Sequence, residues 1–281
     1  MIRSNELRLA LLATCAAGLA FGGLPARAQT SELPEIVVTA QKRSEVLFDV
    51  PLAIVAVTGA ELEKTGVRDL TDLFRSVPGA SQGRSTTGGN PSFQIRGVSS
   101  YFGESTVGYY LDDAAFSIPN RNIAPVARTF DVERVEVLRG PQGTLYGVGS
   151  MGGTVRFITA DPDLNNYRVR GGFGVSNTEG GENNHTVDLA ASIPLIKDKL
   201  AVRLTGSHEK KGGYAESPSF PGDPNSETGD SVRAKVLFKP TDNVTLKGLY
   251  QHSEVDDHWG KQLNTINPDS FLRSTAPGRN R

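Results

Sequence analysis

From residue 166 onward, apolar and polar side chains alternate. Val169, Gly171, Phe173 and Val175 share one face, with Arg168, Arg170 and Ser176 on the other. The period of two returns in Val187, Leu189, Ala191, Ile193 and Leu195 against Thr186, Asp188 and Ser192. It returns again in Leu200, Val202 and Leu204 against Arg203, Thr205 and Ser207. A fourth set is Val232, Ala234, Val236 and Phe238 against Arg233 and Lys235, and a fifth is Val244, Leu246 and Tyr250 against Thr245, Lys247 and Gln251. This period is that of a strand, and each run approaches the ~9–11 residues of a membrane-crossing strand. The predicted links alternate too: short at Lys197-Asp198 and Thr241-Asp-Asn243, long and polar over Glu209–Gly229. Short turns on one side and long loops on the other are the pattern of an outer-membrane barrel. A soluble antiparallel sheet with one wet face has the same period. The turn lengths, with the export signal below, decide for the barrel.

Residues 51–160 read as a mixed α/β unit. Leu52–Val57 is a short, β-branched, buried strand. Thr58-Gly-Ala-Glu61 has the capping-box spacing and Gly66 offers a helix stop. Asp69 and Asp72 open a second helix with Leu70, Leu73, Phe74 and Val77 on one face, ended by Pro78-Gly79. Ser81–Asn90 is Ser, Thr and Gly rich, a loop by composition. Short strands are predicted near 93–96, 107–111, 134–138 and 154–159.

Arg3, Arg8, the apolar run Leu9–Phe21 and Ala26-Arg-Ala28 are laid out as a cleaved secretory signal, residues 1–28. The apolar run is short for a membrane anchor. Cys15 follows Leu12 by three, as in a lipoprotein signal, but Thr14 before it fits poorly. Residues 29–50 contain Glu35-Ile-Val-Val-Thr-Ala40, four of six β-branched, which suits an extended segment. Near a free end, such a segment is either the first edge strand of the domain or a handle for strand addition to another protein's sheet.

Composition narrows the classes. Lys and Arg number 30 against 31 Asp and Glu, a net charge of -1, which argues against a nucleic-acid partner. The 31 glycines and 16 prolines favour turns and strands over a helical bundle. One cysteine excludes an intrachain disulfide or a Cys-based zinc site. No later segment approaches the ~18–20 apolar residues of a spanning helix.

No catalytic constellation stands out, and no enzyme, cofactor or metal site is expected. Gly147-Val-Gly149-Ser-Met-Gly152 has dinucleotide-loop spacing, but the strand-like Gly153–Thr159 follows where a helix is needed. Asp161-Pro-Asp163-Leu-Asn165 begins like a calcium loop, then places Asn166 and Gly172 where glycine and glutamate belong. Asp256-Asp257 beside His258 is the only local cluster that could touch a metal, and it reads as a solvated loop.

Arg134-Val-Glu-Val-Leu-Arg-Gly-Pro-Gln-Gly-Thr-Leu-Tyr-Gly147, followed by Gly152-Gly-Thr-Val-Arg-Phe-Ile158, resembles the plug-domain motif of TonB-dependent outer-membrane receptors. Phe93-Gln-Ile-Arg-Gly97 is similar to the family's earlier plug motif. Glu35–Arg43 with Val50-Pro51 resembles its TonB box and opening strand.

The resemblance implies an α/β (α+β) plug domain, residues 51–160, inside a 22-stranded barrel, a size for which a plugged lumen is expected. Residues 161–281 carry the first five or so strands, so the chain reads as the N-terminal portion of such a receptor, an incomplete transmembrane β-barrel. A plug-only periplasmic binding protein is the alternative. The resemblance also implies partners: the TonB energy-coupling protein at Glu35, Ile36, Val37, Val38, Thr39 and Ala40, outer-membrane lipid, and a large substrate such as a ferric siderophore. Arg96 and Arg139 match the family's plug arginines that pair with barrel-wall glutamates, a task suited to the guanidinium fork. Gly97, Gly140, Gly143, Gly147, Gly152 and Gly153 are expected to permit tight turns and close packing. Residues 81–90, 101–105 and 118–128 are the expected outward loops.

Overall fold

A computed structural model describes residues 36–83, 91–100, 103–116, 124–147, 149–178, 182–213, 215–216, 226–257 and 273–274. The predicted leader, Glu35 and His258 lie outside these residues.

Strands β1 (Val37–Val38) and β2 (Glu45–Val46) form an antiparallel hairpin, separate from the larger sheets. A 3-10 turn at Leu47–Asp49 precedes β3 (Ile54–Thr58). Helix α1 (Gly59–Thr65) starts as its sequence directs: the Thr58 hydroxyl accepts from Glu61 N–H at 3.3 Å, and Gly66 closes it at φ 72. Helix α2 (Leu70–Ser76) is capped by Asp69, whose Oδ1 accepts from Asp72 N–H at 3.0 Å. Its face Leu70, Leu73, Phe74 is buried, with Val77 just beyond.

Ser81–Asn90 departs from expectation. Residues Ala80–Gly83 are a strand, β4, paired antiparallel with β5 (Ser92–Ile95). Backbone ladder bonds do not depend on side-chain polarity, so a Ser/Gln/Gly run can extend when a partner strand is supplied.

The remaining elements of this unit are β6 (Val107–Leu111), β7 (Ala114–Ala115), β8 (Val132–Arg139), the one-turn helix α3 (Gly143–Tyr146) and β9 (Gly153–Thr159). The sheet order is β3-β8-β9-β6-β7, with β6 and β9 parallel and the other pairs antiparallel. Leu62, Leu73, Phe74, Phe93, Ile95, Val107, Val135, Val137, Val155 and Phe157 form its core. The Phe74 and Phe93 rings stack at 4.2 Å, joining α2 to β5. A strand and not a helix follows Gly147–Gly152, so those glycines open no dinucleotide fold.

The second sheet, here termed the wall, has β10 (Arg168–Asn177), β11 (Asn183–Ile196), β12 (Leu200–Lys211), β14 (Glu227–Thr241) and β15 (Val244–Asp257) in the antiparallel order β10-β11-β12-β14-β15. Between and after them, β13 (Ala215–Glu216) pairs with β16 (Arg273–Ser274). The wall strands outrun the alternating segments, β14 reaching 15 residues, so part of the expected long loop over Glu209–Gly229 is strand.

The wall's polarity is inverted relative to a soluble sheet. Its apolar set is exposed, with Val169 at 76%, Phe173 at 75% and Tyr250 at 63%. Its polar set is turned against the first unit, with Thr186, Ser192, Thr205, Arg233 and Lys235 all buried. Burying hydroxyls and cations while leaving Val and Phe outside is unfavourable in water. The arrangement suits hydrocarbon on the outer face and a packed polar filling on the inner one.

Candidate functional site

Two regions gather the polar chemistry of the described residues: the β1–β2 hairpin with its seat, and the seam between plug unit and wall.

The hairpin seat is built by β8 and β9. In β8, Glu136 interrupts an apolar run between Val135 and Val137; in β9, Arg156 does so between Val155 and Phe157. The strands align Glu136 opposite Arg156, and both are buried, at 0% and 2% exposure. Arg156 Nη1 donates to Glu136 Oε2 at 2.6 Å and Arg134 Nε to Glu136 Oε1 at 2.9 Å. Thr39 completes the group: its N–H donates to Glu136 Oε1 at 2.9 Å. Its hydroxyl accepts from Arg156 Nη1 at 3.0 Å and from Arg134 Nη2 at 3.3 Å. A buried pair of cations on one carboxylate is tolerable only when its spare donors are satisfied. The Thr39 hydroxyl satisfies two of them.

The next residues are held as firmly. Ala40 is fully buried, packed with Leu138 and Tyr146, and its carbonyl accepts from the Tyr146 hydroxyl at 2.6 Å. Burial pushes the Tyr146 hydroxyl up to about 12, with the Arg156 charge opposing, so it stays a donor at neutral pH. Lys42, in the hairpin turn at φ 63, lies over the Tyr110 and Tyr146 rings and pairs with Asp113 at 3.1 Å. Tyr146 lies in α3, within the Gly-Pro-Gln-Gly-Thr-Leu-Tyr-Gly run. Residues 37–38 are not an edge strand of the plug sheet: they pair with 45–46 in a hairpin laid on the plug.

The seam is a series of ion pairs. Asp131, at φ 60 and 1% exposed, accepts from Arg203 Nε at 2.8 Å, from Arg203 Nη2, and from the Thr205 hydroxyl at 2.6 Å. Its backbone carbonyl accepts from Arg233 Nη2 at 2.7 Å. Burial alone would raise the Asp131 carboxyl, but the bonds from Arg203 and Thr205 and the Arg203 and Arg233 charges outweigh it and leave it below its usual range. Lys235 reaches Asp161 at 2.7 Å, Asp112 at 3.0 Å and the Thr159 carbonyl at 3.0 Å. Asp161 pairs with both Lys235 and Lys247. Asp163 caps the Asn165 and Asn166 amides. Among the described residues no group of three or more His, Cys, Asp and Glu could hold a metal.

Two further plug arginines meet the wall at glycines. Arg128 pairs with Glu209 and Glu227, and a Cβ on Gly229 would stand 2.2 Å from its Nη2. Arg68 bonds the Thr186 hydroxyl, and a Cβ on Gly174 would stand 2.9 Å from its Nη2. The wall is thus recessed where guanidinium groups enter it.

Among the described residues it is Arg128, not Arg96 or Arg139, that meets wall glutamates. Arg139 Nη1 donates to the Pro78 carbonyl at 3.1 Å, and its buried Nε has no partner among the described residues. Arg96, exposed at φ 55, lies against Gly140, where a Cβ would stand 2.9 Å from its Nη1. The two predicted arginines therefore adjoin one turn. Gly140, at φ 107, needs the conformation a side chain disfavours. Gly97 and Gly147 also have positive φ, while Gly152 and Gly153 pass close to neighbouring backbone; a Cβ on Gly153 would stand 2.4 Å from the Leu138 carbonyl. Gly143 begins α3 with open space around it. Sequence reasoning did not single out Arg128, Asp131, Arg134, Glu136, Tyr146 or Arg156. The legible signal was a charge inside an apolar strand, since an ionisable residue there is rarely buried unpaired.

A mixed α/β unit seated by ion pairs on the polar face of an inside-out sheet defines a class: plug domain with barrel strands. Comparison with known proteins agrees. Residues 46–154 match the family model for the TonB-dependent Receptor Plug Domain. The pesticin receptor of Yersinia pestis is 36% identical over 154 residues, 52% of this chain and 22% of its own length. The vitamin B12 transporter BtuB of Vibrio vulnificus (strain YJ016) is 28% identical over 233 residues, 82% of this chain and 34% of its own. The ferric yersiniabactin uptake receptor FyuA from Yersinia pestis superposes with a TM-score of 0.63 at 23% identity, over 73% of this chain and 32% of that chain. The chain spans about a fifth to a third of the length of these curated relatives. Residues 46–154 are thus similar to the plug domain of the TonB-dependent receptors.

Proposed function

We propose that this chain is the plug and first wall strands of an outer-membrane receptor for energy-coupled uptake of a large substrate of the ferric-siderophore class. The observation that carries the membrane part is the exposed apolar face of the wall around a polar seam. A plug working alone in the periplasm leaves that face without a purpose. A TonB-dependent siderophore receptor of Acinetobacter baumannii, 30% identical over 272 residues and matched over 34% of its own length, supports an iron chelate as cargo, and the reading is of transport, not catalysis.

In this reading Glu35–Ala40 is the segment engaged by the TonB energy-coupling protein, and a cleaved leader, 1–28, exports the chain. Parallel backbone bonds in an added strand share a pulling load without requiring particular side chains. Arg96 and Arg139 take wall carboxylates outside the described residues. The test is uptake of a radiolabelled ferric chelate by cells whose only receptor contains this chain. Val37→Pro or Val38→Pro, which removes a pairing N–H, is expected to abolish uptake with surface binding of the chelate intact. Undiminished uptake in either variant rejects the assignment of the segment.

A further inference from the structure

Phe48 is the most exposed large apolar side chain among the described residues, at 91%, and it does not belong to the wall. Its place follows from the turn that carries it. Residues three apart in a 3-10 turn share a face. Across Leu47–Asp49 that face is Leu47, half-buried, and Val50, buried, which leaves Phe48 and Asp49 on the outer side. The hairpin extends the same exposure. Val38 is buried on the plug, so its neighbour Val37, 44% exposed, and Val46 opposite it point away. Val37 and Val46, with Phe48 two residues on, are apolar side chains that no described residue covers fully.

The hairpin lies at the short-turn end of the wall. Thr39, Lys42, Arg43 and Ser44 line one cavity with Asp161, Lys235 and Lys247, and Lys247 is the fourth residue of β15, just past the turn at 241–243. Short turns of an outer-membrane barrel face the periplasm. Phe48 therefore faces the compartment of the coupling protein, away from the long loops. Strand addition draws affinity from the main chain, and side chains in pockets must supply the choice of partner. Aromatic residues are enriched at the centres of such interfaces. We propose that Phe48 is an anchor for the coupling protein. It fills an apolar pocket of that protein's periplasmic domain while Glu35–Ala40 is engaged, with the exposed Lys42 and Arg43 meeting an acidic rim. The proposal rests on the reading of Glu35–Ala40 as the coupling segment. Phe48 adjoins that segment, because Leu47 N–H donates to the Ile36 carbonyl at 2.9 Å. Even fully extended, the stretch from Ala40 to Phe48 spans at most about 29 Å, so one small domain can touch both.

The test is a titration of the intact receptor, purified in detergent, with the purified periplasmic domain of the coupling protein. Phe48→Ala is expected to weaken binding about 10- to 30-fold, the scale of an anchor lost from an interface centre. A side chain this exposed has no packing role, so the variant is expected to fold and to bind the ferric chelate as before. Equal binding of the domain by Phe48→Ala and the unaltered receptor overturns the proposal.

Thiol labelling supplies a second measurement. The chain's only cysteine, Cys15, falls in the predicted leader, so Phe48→Cys places a single thiol in the rest of this chain. A maleimide is expected to react with it in the receptor alone and to be excluded once the domain is bound. A thiol already blocked in the receptor alone means that later strands or a second copy cover the position, and the proposal falls. Equal labelling with and without the domain also rejects it. If the unaltered receptor fails to bind the domain, the coupling role of Glu35–Ala40 falls and takes the anchor with it. Binding that Val37→Pro abolishes and Phe48→Ala leaves intact removes the anchor alone.

Discussion

Asp131 of the plug and Arg203 of the wall meet with two guanidinium nitrogens on one carboxylate, Nε to Oδ2 at 2.8 Å. Thr205 and Arg233 complete the cage. Removing one member of a buried pair strands the other, which costs about 3–5 kcal/mol. Asp131→Asn keeps a short polar side chain suited to positive φ but leaves Arg203 and Arg233 facing each other without a counter-charge. We expect faster amide exchange at residues 129–133 and on the facing stretch of β12, with the β3–β8–β9 core unaltered. Exchange unchanged at both places would show that the pair does not hold the seam.

The same carboxylate gives the seam a defined acid response. Its proton affinity is lowered in the folded state, so its stabilising contribution is present above the ordinary aspartate range, about 3.9. The contribution is lost as pH falls through the lower, folded value. Plug docking is therefore expected to hold steady from pH 7 to about 5 and to weaken only below about 4. A carbon-detected titration of Asp131 checks this; a midpoint at or above the ordinary value contradicts it.

Gly229 tests the recess beneath Arg128. A methyl there would stand 2.2 Å from Nη2 of an arginine already committed to Glu209 and Glu227. Gly229→Ala should destabilise the docked plug by about 1–3 kcal/mol, the usual cost of overpacking. Gly248→Ala, on β15 with open space around it, serves as the control. Equal unfolding midpoints for the two variants in denaturant would mean that Arg128 moves aside without penalty.

Local rules written in the sequence carried most of the fold. Thr58 and Asp69 announced their helices because a cap is satisfied within four residues, and the five wall strands announced themselves because alternation is also local. Ser81–Gly83 was not legible, since its strand exists only by pairing with Ser92–Gln94. The site was less legible still. The motif containing Arg134, Glu136 and Tyr146 could be recognised as a string, but the contact of Glu136 with Thr39 spans 97 residues. The wall's inward set, Arg203, Thr205, Arg233 and Lys235, was visible as a polar stripe. Which plug residue each would meet depended on how two sheets face one another, and no periodicity encodes that.

The chemistry of the seam has a consequence for motion. Apolar surfaces pulled apart must be wetted, at a cost that grows with their area. Carboxylates, guanidiniums, ammoniums and hydroxyls such as Asp131, Arg203, Lys235 and Thr159 can trade each other for water nearly bond for bond. A plug fastened in this way can be peeled from its wall one contact at a time, and water following the opening gap lubricates the next step.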